Sequence, residues 1–186
     1  ISPGIALYEK LCEDGRMNPV FLTGVSDMRF SSLGEIETDK LYTYNPPALT
    51  KNPFKVPFFL MKFLRAVFRA RRIIRKNSID AVVGMGGYAS APALVAAKMK
   101  KVPVFLCEQN SVPGKVTIKM EKHCRKVFGT FAESTEYLKF PDKFIQTGNP
   151  IRNNVLVQIT REEAKKVFHL GHCEKLIFVV GGSQGA

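Results

Sequence analysis

Four segments of this chain carry residues whose types and spacing suit work on phosphate and sugar groups. Gly84-Met85-Gly86-Gly87-Tyr88 follows the strand-forming run Ala81–Val83, and Gly181-Gly182-Ser183-Gln184-Gly185-Ala186 follows Leu176–Val180. A strand that runs into glycines bares successive backbone N–H groups, and a helix behind the turn aims its positive end at the same spot. α/β proteins hold phosphate and diphosphate in this way. Between the two turns stand Glu108-Gln109-Asn110 and Asn149-Pro150-Ile151-Arg152. The amides of Gln109 and Asn110 can bind sugar hydroxyls or an acetamido group. Glu108 can orient or deprotonate a hydroxyl and is the candidate catalytic residue. Arg152 offers a rigid fork for a diphosphate.

Each segment also has a plainer reading. Glycines serve tight turns, Glu108 to Asn110 can cap a loop between strand and helix, and a lone arginine is commonly a surface cation. The turn at Gly84 is not a dinucleotide fingerprint, because its spacing fails G-x-G-x-x-G and no acidic residue ends a strand ~20 residues further on. A nucleotide-dependent oxidoreductase is disfavoured on that ground. No Ser-His-Asp arrangement or nucleotide P-loop is present. His169, His172 and Cys173 match no standard zinc spacing and read as a surface loop, so neither a metal nor another cofactor is expected.

These segments need a scaffold of alternating strands and helices. Ile5–Cys12 reads as an amphipathic helix ended by Gly15, with Ser2 as its N-cap and Pro3 at the first helical position. Pro19–Thr23 reads as a buried strand, 27–38 as polar connection and Leu41–Tyr44 as a further strand. Val56–Lys76 is a long helix, Ala81–Val83 a strand, and Ser90–Lys100 a helix that Ser90 can cap. Val102–Cys107, Lys126–Gly129, Phe144–Gln146 and Lys175–Val180 read as strands, with helices at Lys115–His123 and Thr160–Leu170. Thr160 and Glu163 form a capping box. The pattern predicts an α/β fold with a Rossmann-like, mostly parallel sheet. Both ends read as interrupted: the first helix lacks the strand and turn that usually precede it, and the last glycine turn lacks its helix.

With 186 residues, 45% of them hydrophobic, the chain can bury one core or one domain plus part of another. No apolar run approaches a membrane span, and no secretory signal peptide is visible. The four cysteines, Cys12, Cys107, Cys124 and Cys173, are scattered and read as reduced thiols. The net charge of +12 calls for an anionic partner. Much of the excess lies in 51–76, which holds nine Lys or Arg and no carboxylate. On a helical wheel, Phe59, Leu60, Phe63, Val67, Ala70 and Ile74 form the face expected in the core. Lys62, Arg65, Arg69, Arg72 and Lys76 form a basic stripe opposite, with Met61, Leu64 and Phe68 between. A solvated face, an acidic membrane surface and nucleic acid all fit such a stripe, although no nucleic-acid-binding fold accompanies it.

Taken together, GMGGY at 84–88, EQNSVPG at 108–114, TGNPIR at 147–152 and GGSQGA at 181–186 resemble the bacterial undecaprenyl-diphospho-muramoylpentapeptide β-N-acetylglucosaminyltransferases. The resemblance runs from Ser2 to the last residue. It implies a GT-B fold of two Rossmann-like domains, with residues 1–151 as an N-terminal, acceptor- and membrane-facing domain lacking its first strand. Residues 152–186 would be the linker and opening of the donor-nucleotide domain. The implied reaction transfers N-acetylglucosamine from UDP-N-acetylglucosamine to undecaprenyl-linked lipid I, with inversion and without metal, in peptidoglycan synthesis. By position, Asn110, Arg152, Ser183 and Gln184 match donor-binding residues, and Gly84, Gly86, Gly87 and Tyr88 match the acceptor-diphosphate loop. Met61, Lys62, Leu64, Arg65, Phe68, Arg69 and Arg72 match the region that meets an anionic inner-membrane surface, which implies a peripheral protein on the cytoplasmic face and no nucleic-acid partner. Cys107, Ala91 and Thr117 depart from the family's usual histidine, glycine and asparagine. The alternative is a non-catalytic anion- or membrane-binding α/β module, and the missing ends imply that the chain by itself is inactive.

Overall fold

A computed structural model describes residues 2–46, 52–155, 159–172 and 174–177. Contacts divide the chain into two units, Ile1–Arg152 and Asn153–Ala186. In the first, α1 (Ser2–Glu13) leads to β1 (Phe21–Gly24) and β2 (Leu41–Tyr44), which pair in parallel. The long α2 (Val56–Lys76) precedes β3 (Val82–Gly84), α3 (Ala91–Met99), β4 (Val104–Glu108), α4 (Lys115–Met120), β5 (Lys126–Gly129) and β6 (Phe144–Gln146). Strands β3 to β6 form a parallel sheet in sequence order. Parallel strands need crossover helices, so each helix begins near the carboxyl end of one strand and ends near the amino end of the next. The sheet's carboxyl edge therefore collects the loops after β3, β4, β5 and β6.

The main core joins Val67, Ala70 and Ile74 of α2 to Leu94, Ala96 and Ala97 of α3 and to Val104, Leu106 and Val127 of the sheet. Gly84 is required by this packing, since a Cβ there would stand 2.7 Å from Leu94 Cδ2 and 2.9 Å from Cδ1. A smaller core lies under α1, where Ile5 and Tyr8 meet Leu33 and Ile36. These last two sit in or beside the 3₁₀ turns Val25–Arg29 and Ser31–Glu35, where the sequence suggested only polar connection. Burial of two apolar side chains three residues apart holds those turns in place.

Four expectations need correction. Ser2 is the first helical residue and not the cap of a helix beginning after it. Ser90 takes a helical conformation and makes no side-chain cap; its hydroxyl donates to the Gly87 carbonyl at 2.6 Å, tightening the glycine turn. Leu60, expected in the core, is 51% exposed, because the first turns of α2 extend past the residues that bury Ala66, Val67 and Ala70. Lys175–Ile177 form no strand, and residues 178–186, including Ser183 and Gln184, lie outside the described residues, as does Cys173.

In the second unit, α5 (Arg161–Val167) begins with the expected capping box. Thr160 Oγ1 accepts from the Glu163 amide at 3.2 Å, and Glu163 Oε2 accepts from the Thr160 amide at 2.8 Å. These two bonds satisfy donors that a helix start leaves unpaired.

Candidate functional site

The site is built where β3 and β4 end. β4 delivers Glu108 to the carboxyl edge, and there its side chain turns inward, 2% exposed. A buried carboxylate must be hydrogen-bonded or it costs several kcal/mol, on the order of the desolvation of a charge. Glu108 meets that demand within its own loop. Oε1 accepts from the Asn110 amide at 3.1 Å and from Asn110 Nδ2 at 3.0 Å. Oε2 accepts from the Gly114 amide at 2.9 Å and from the fully buried Thr117 hydroxyl at 2.6 Å. The loop 109–114 is thereby folded around one anion, and α4 starts from it. Glu108 as a general base would need an oxygen open to a ligand, and this geometry engages both oxygens with donors from the loop.

The glycine turn closes on the same carboxylate. Gly86 has φ +69°, a left-handed conformation that favours glycine, and a Cβ there would lie 3.2 Å from the Cys107 carbonyl and 3.4 Å from Glu108 Oε2. A Cβ on Gly114 would stand 3.3 Å from the Gly86 carbonyl. Gly84–Tyr88 and Glu108–Gly114, read separately in the sequence, are thus one surface in the fold. Asn110 is held above it: besides its two bonds to Glu108, its carbonyl accepts from the Ser134 hydroxyl at 3.0 Å. Gln109 donates back to the Cys107 carbonyl at 3.2 Å, so it caps the strand end.

Tyr88 packs its ring on Phe59 of α2 at 6.5 Å, and its hydroxyl is cut off from solvent without a partner. The Tyr44 hydroxyl at the end of β2 is in the same position. Burial pushes both phenols above their ordinary range, and for Tyr44 the Asp27 carboxylate and Tyr88 add to the effect. Both remain protonated at neutral pH and so are unpaired donors beside the glycine turn. Asp27 is fixed there by accepting from Thr23 Oγ1 at 2.7 Å and from the Gly24 amide at 3.2 Å. Burial also raises the Cys107 thiol to about 11, which keeps it neutral.

Arg152 stands apart from this group. Its Nε donates to Glu9 Oε1 at 2.9 Å, and Nη2 contacts both Glu9 and Glu35. As placed, the guanidinium ties the end of the first unit to α1 and to the second 3₁₀ turn. Its charge is matched by two carboxylates, and Nη1 is outside both contacts. Among the described residues no three His, Cys, Asp or Glu gather as a metal site would require.

On α2 the exposed residues are as expected: Met61, Lys62, Leu64, Arg65, Phe68, Arg69 and Arg72 are all at the surface, with Phe58 and Leu60 beside them. Lys62 Nζ lies 4.3 Å from the centre of the Phe58 ring. No described helix is long and apolar enough to cross a membrane.

Residues 1–129 match the glycosyltransferase family 28 N-terminal domain. The chain belongs to glycosyltransferase family 28. The family match takes in the glycine turn, Glu108, Asn110 and Thr117, and ends before Arg152. Across its whole length the chain is 31% identical to the UDP-N-acetylglucosamine–N-acetylmuramyl-(pentapeptide) pyrophosphoryl-undecaprenol N-acetylglucosamine transferase of Finegoldia magna, of which it covers 51%. The enzyme of the same name from Geobacter sulfurreducens is 41% identical over 132 residues, 68% of this chain and 34% of that one. Among solved structures, MurG of Acinetobacter baumannii superposes with a TM-score of 0.63 at 25% identity, over 85% of this chain and 44% of that one. The UDP-GlcNAc 2-epimerase of Methanocaldococcus jannaschii shares the fold, with a TM-score of 0.59 at 14% identity. The chain spans about half the length of the curated relatives it matches. The parallel α/β architecture expected from the sequence is that of the GT-B N-terminal domain.

Several participants carry roles that the sequence does not show. Gly114 and Thr117, noted there only as a motif residue and a family departure, organise the Glu108 loop; Tyr44 and Asp27 border the glycine turn, and Glu9 and Glu35 hold Arg152. Only Thr117 carried a usable signal: a hydroxyl one turn into the helix that follows a glycine, on the side facing the strand end.

Proposed function

We propose that this chain is the acceptor-side portion of an inverting N-acetylglucosaminyltransferase that moves N-acetylglucosamine from UDP-N-acetylglucosamine to lipid I in peptidoglycan synthesis. The observation that carries this reading is the closure of the Gly84–Tyr88 turn and the Glu108–Gly114 loop onto one carboxylate at the sheet's carboxyl edge, where ligands of open α/β sheets bind. In the reaction the acceptor hydroxyl oxygen bonds to C1 of the sugar, the C1–oxygen bond to UDP breaks with its electron pair leaving on the UDP diphosphate, and the hydroxyl proton passes to solvent water. The amides of the glycine turn face the acceptor diphosphate, and Tyr88 braces that turn by packing on Phe59 of α2. Asn110 meets the donor sugar. Arg152 meets the UDP diphosphate, so that a guanidinium balances the leaving group's charge.

In this scheme Glu108 positions Asn110 and does not itself take the proton. Arg152 reaches the diphosphate by exchanging Glu9 and Glu35 for phosphate oxygens. The exposed apolar and basic residues of α2 rest on the anionic cytoplasmic face of the inner membrane and bring the chain to its lipid acceptor.

The test uses the intact protein and UDP as a competitive inhibitor. Arg152→Ala removes a charge-assisted contact of roughly 1.5–3 kcal/mol and weakens UDP and UDP-N-acetylglucosamine alike. Asn110→Ala spares UDP and impairs use of the sugar nucleotide. Equal losses of UDP affinity in the two variants would show that sugar and diphosphate ends have been misassigned. Absence of transfer to a lipid I analogue by the intact protein would defeat the reading as a whole.

A further inference from the structure

At the opposite, amino edge of the sheet lies a second concentration of charge that the proposed transfer does not use. A cavity of about 210 Å³ opens where α3 ends and β4 and β5 begin, and Lys98, Lys101, His123 and Arg125 line it with Val102, Pro103 and Val104. No carboxylate lines this cavity, and no described ion pair involves any of its three cations. Lys101 adopts φ +57°, a left-handed position after a helix where glycine is the usual residue.

The Lys98 ammonium lies 2.8 Å from His123 Nε2. An ammonium only donates, so Nε2 accepts and the imidazole is neutral, with its proton on Nδ1. Protonating His123 would set two cations against each other at that distance. An oxyanion lying against both would accept from both and offset their repulsion, with Arg125 and Lys101 as further donors. We propose that this cavity is a binding site for a phosphate-class oxyanion, held by Lys98, His123, Lys101 and Arg125, and that binding takes up a proton on His123.

The surroundings agree with that direction. Desolvation lowers the His123 pKa, and Lys98 of α3, Lys122 beside it and Lys143 of the turn before β6 lower it further. Glu121 is not among the charges that act on the ring; its carboxylate turns to the Lys139 and Phe140 amides, from which Oε2 accepts. A bound dianion reverses the sign of the local field and raises the His123 pKa. Affinity therefore rises as pH falls toward 5. Sulfate keeps a constant charge in this range and isolates the imidazole's share of the effect.

The experiment follows the His123 imidazole by NMR in the intact protein, its signal assigned by loss in His123→Gln. Phosphate and sulfate are titrated against chloride at matched ionic strength, and a parallel series uses phosphatidylglycerol against phosphatidylcholine vesicles. A saturable shift with the free oxyanions, accompanied by a higher His123 pKa, supports a site for soluble phosphate groups. A shift seen only with phosphatidylglycerol supports the same chemistry supplied by a lipid headgroup. Lys98→Ala with Lys101→Ala weakens either by at least about tenfold, as does Arg125→Ala separately, each with an unchanged unfolding midpoint. A response no different from chloride and neutral vesicles, or full binding in the double variant, overturns the proposal. UDP inhibition and sugar transfer are measured alongside, and their persistence in the double variant keeps failure of this site distinct from failure of the transferase reading.

Discussion

Replacing Thr117 by valine isolates the bond that ties α4 to the end of β4. The change keeps the shape of a side chain that is fully buried and removes only the hydroxyl that donates to Glu108 Oε2 at 2.6 Å. Glu108 is itself buried, so no water replaces the lost donor, and three of its four bonds remain. A hydrogen bond to a charged group is worth about 1.5–3 kcal/mol, and for a chain of this size each kcal/mol moves the unfolding midpoint by about 2–4 °C. Thr117→Val should therefore lower Tm by about 3–12 °C, measured by circular dichroism or calorimetry with urea unfolding as a cross-check. Thr117→Ser keeps the hydroxyl, loses one methyl, and should cost no more than about 1 kcal/mol. If valine is as stable as the parent, or serine is as damaging as valine, the Thr117–Glu108 bond does not organise this loop. If the proposed function holds, the valine variant of the intact protein should also raise KM for the sugar nucleotide while leaving UDP inhibition unchanged, because the loop it loosens carries Asn110.

Gly84→Ala should destabilise by about 1–3 kcal/mol, since the new methyl meets buried Leu94 at 2.7–2.9 Å; a neutral result by urea unfolding would mean that α3 moves away freely. Arg65→Glu with Arg69→Glu should abolish salt-sensitive binding to anionic vesicles, and Phe68→Ser should weaken it with less change in salt dependence; equal binding to neutral vesicles would remove the electrostatic part. Glu9→Gln with Glu35→Gln should strengthen UDP binding by about two- to fivefold or more, since a surface ion pair sets the lower scale and the Arg152 side chain is largely covered; weaker binding in calorimetry would contradict the exchange. Cys107, buried and with its thiol raised to about 11, should resist iodoacetamide at pH 8 in the folded protein and react in urea, while exposed Cys12 reacts in both; peptide mapping reads the difference.

Local signals made most of the fold legible. Val56–Lys76, Lys126–Gly129 and Phe144–Gln146 were bounded correctly because apolar periodicity, flanking glycines and prolines, and β-branched runs all agree there. Errors arose where tertiary contacts decide. Leu33 and Ile36 have no strong period of their own and are buried only because Ile5 and Tyr8 lie over them. Leu60 lies on the apolar side of the wheel and is exposed, whereas Phe59 beside it meets the Tyr88 ring, a contact that sequence periodicity does not reveal. Ser90 has the right residue type for a cap, but its backbone is already helical. Arg152 was legible as a cation near a turn, whereas its partners stand 143 and 117 residues away and left no local trace.

The same distinction explains what was read at Glu108 and what was not. A glutamate at a strand's carboxyl end suggests reactivity, but reactivity depends on what remains unpaired, and here both oxygens are spent. The consequence passes to Asn110. A carboxylate only accepts, so the Asn110 side chain must turn Nδ2 toward Glu108, which leaves Oδ1 and the second Nδ2 hydrogen for a ligand. An acetamido group or a sugar hydroxyl both donates and accepts and can use the two together, whereas a diphosphate, acceptor-only at neutral pH, can use the N–H alone. Glu108 thus contributes to selectivity at one remove: by fixing the orientation of a neighbouring amide, it presents an acceptor that the sugar end of a sugar nucleotide can use and the diphosphate end cannot.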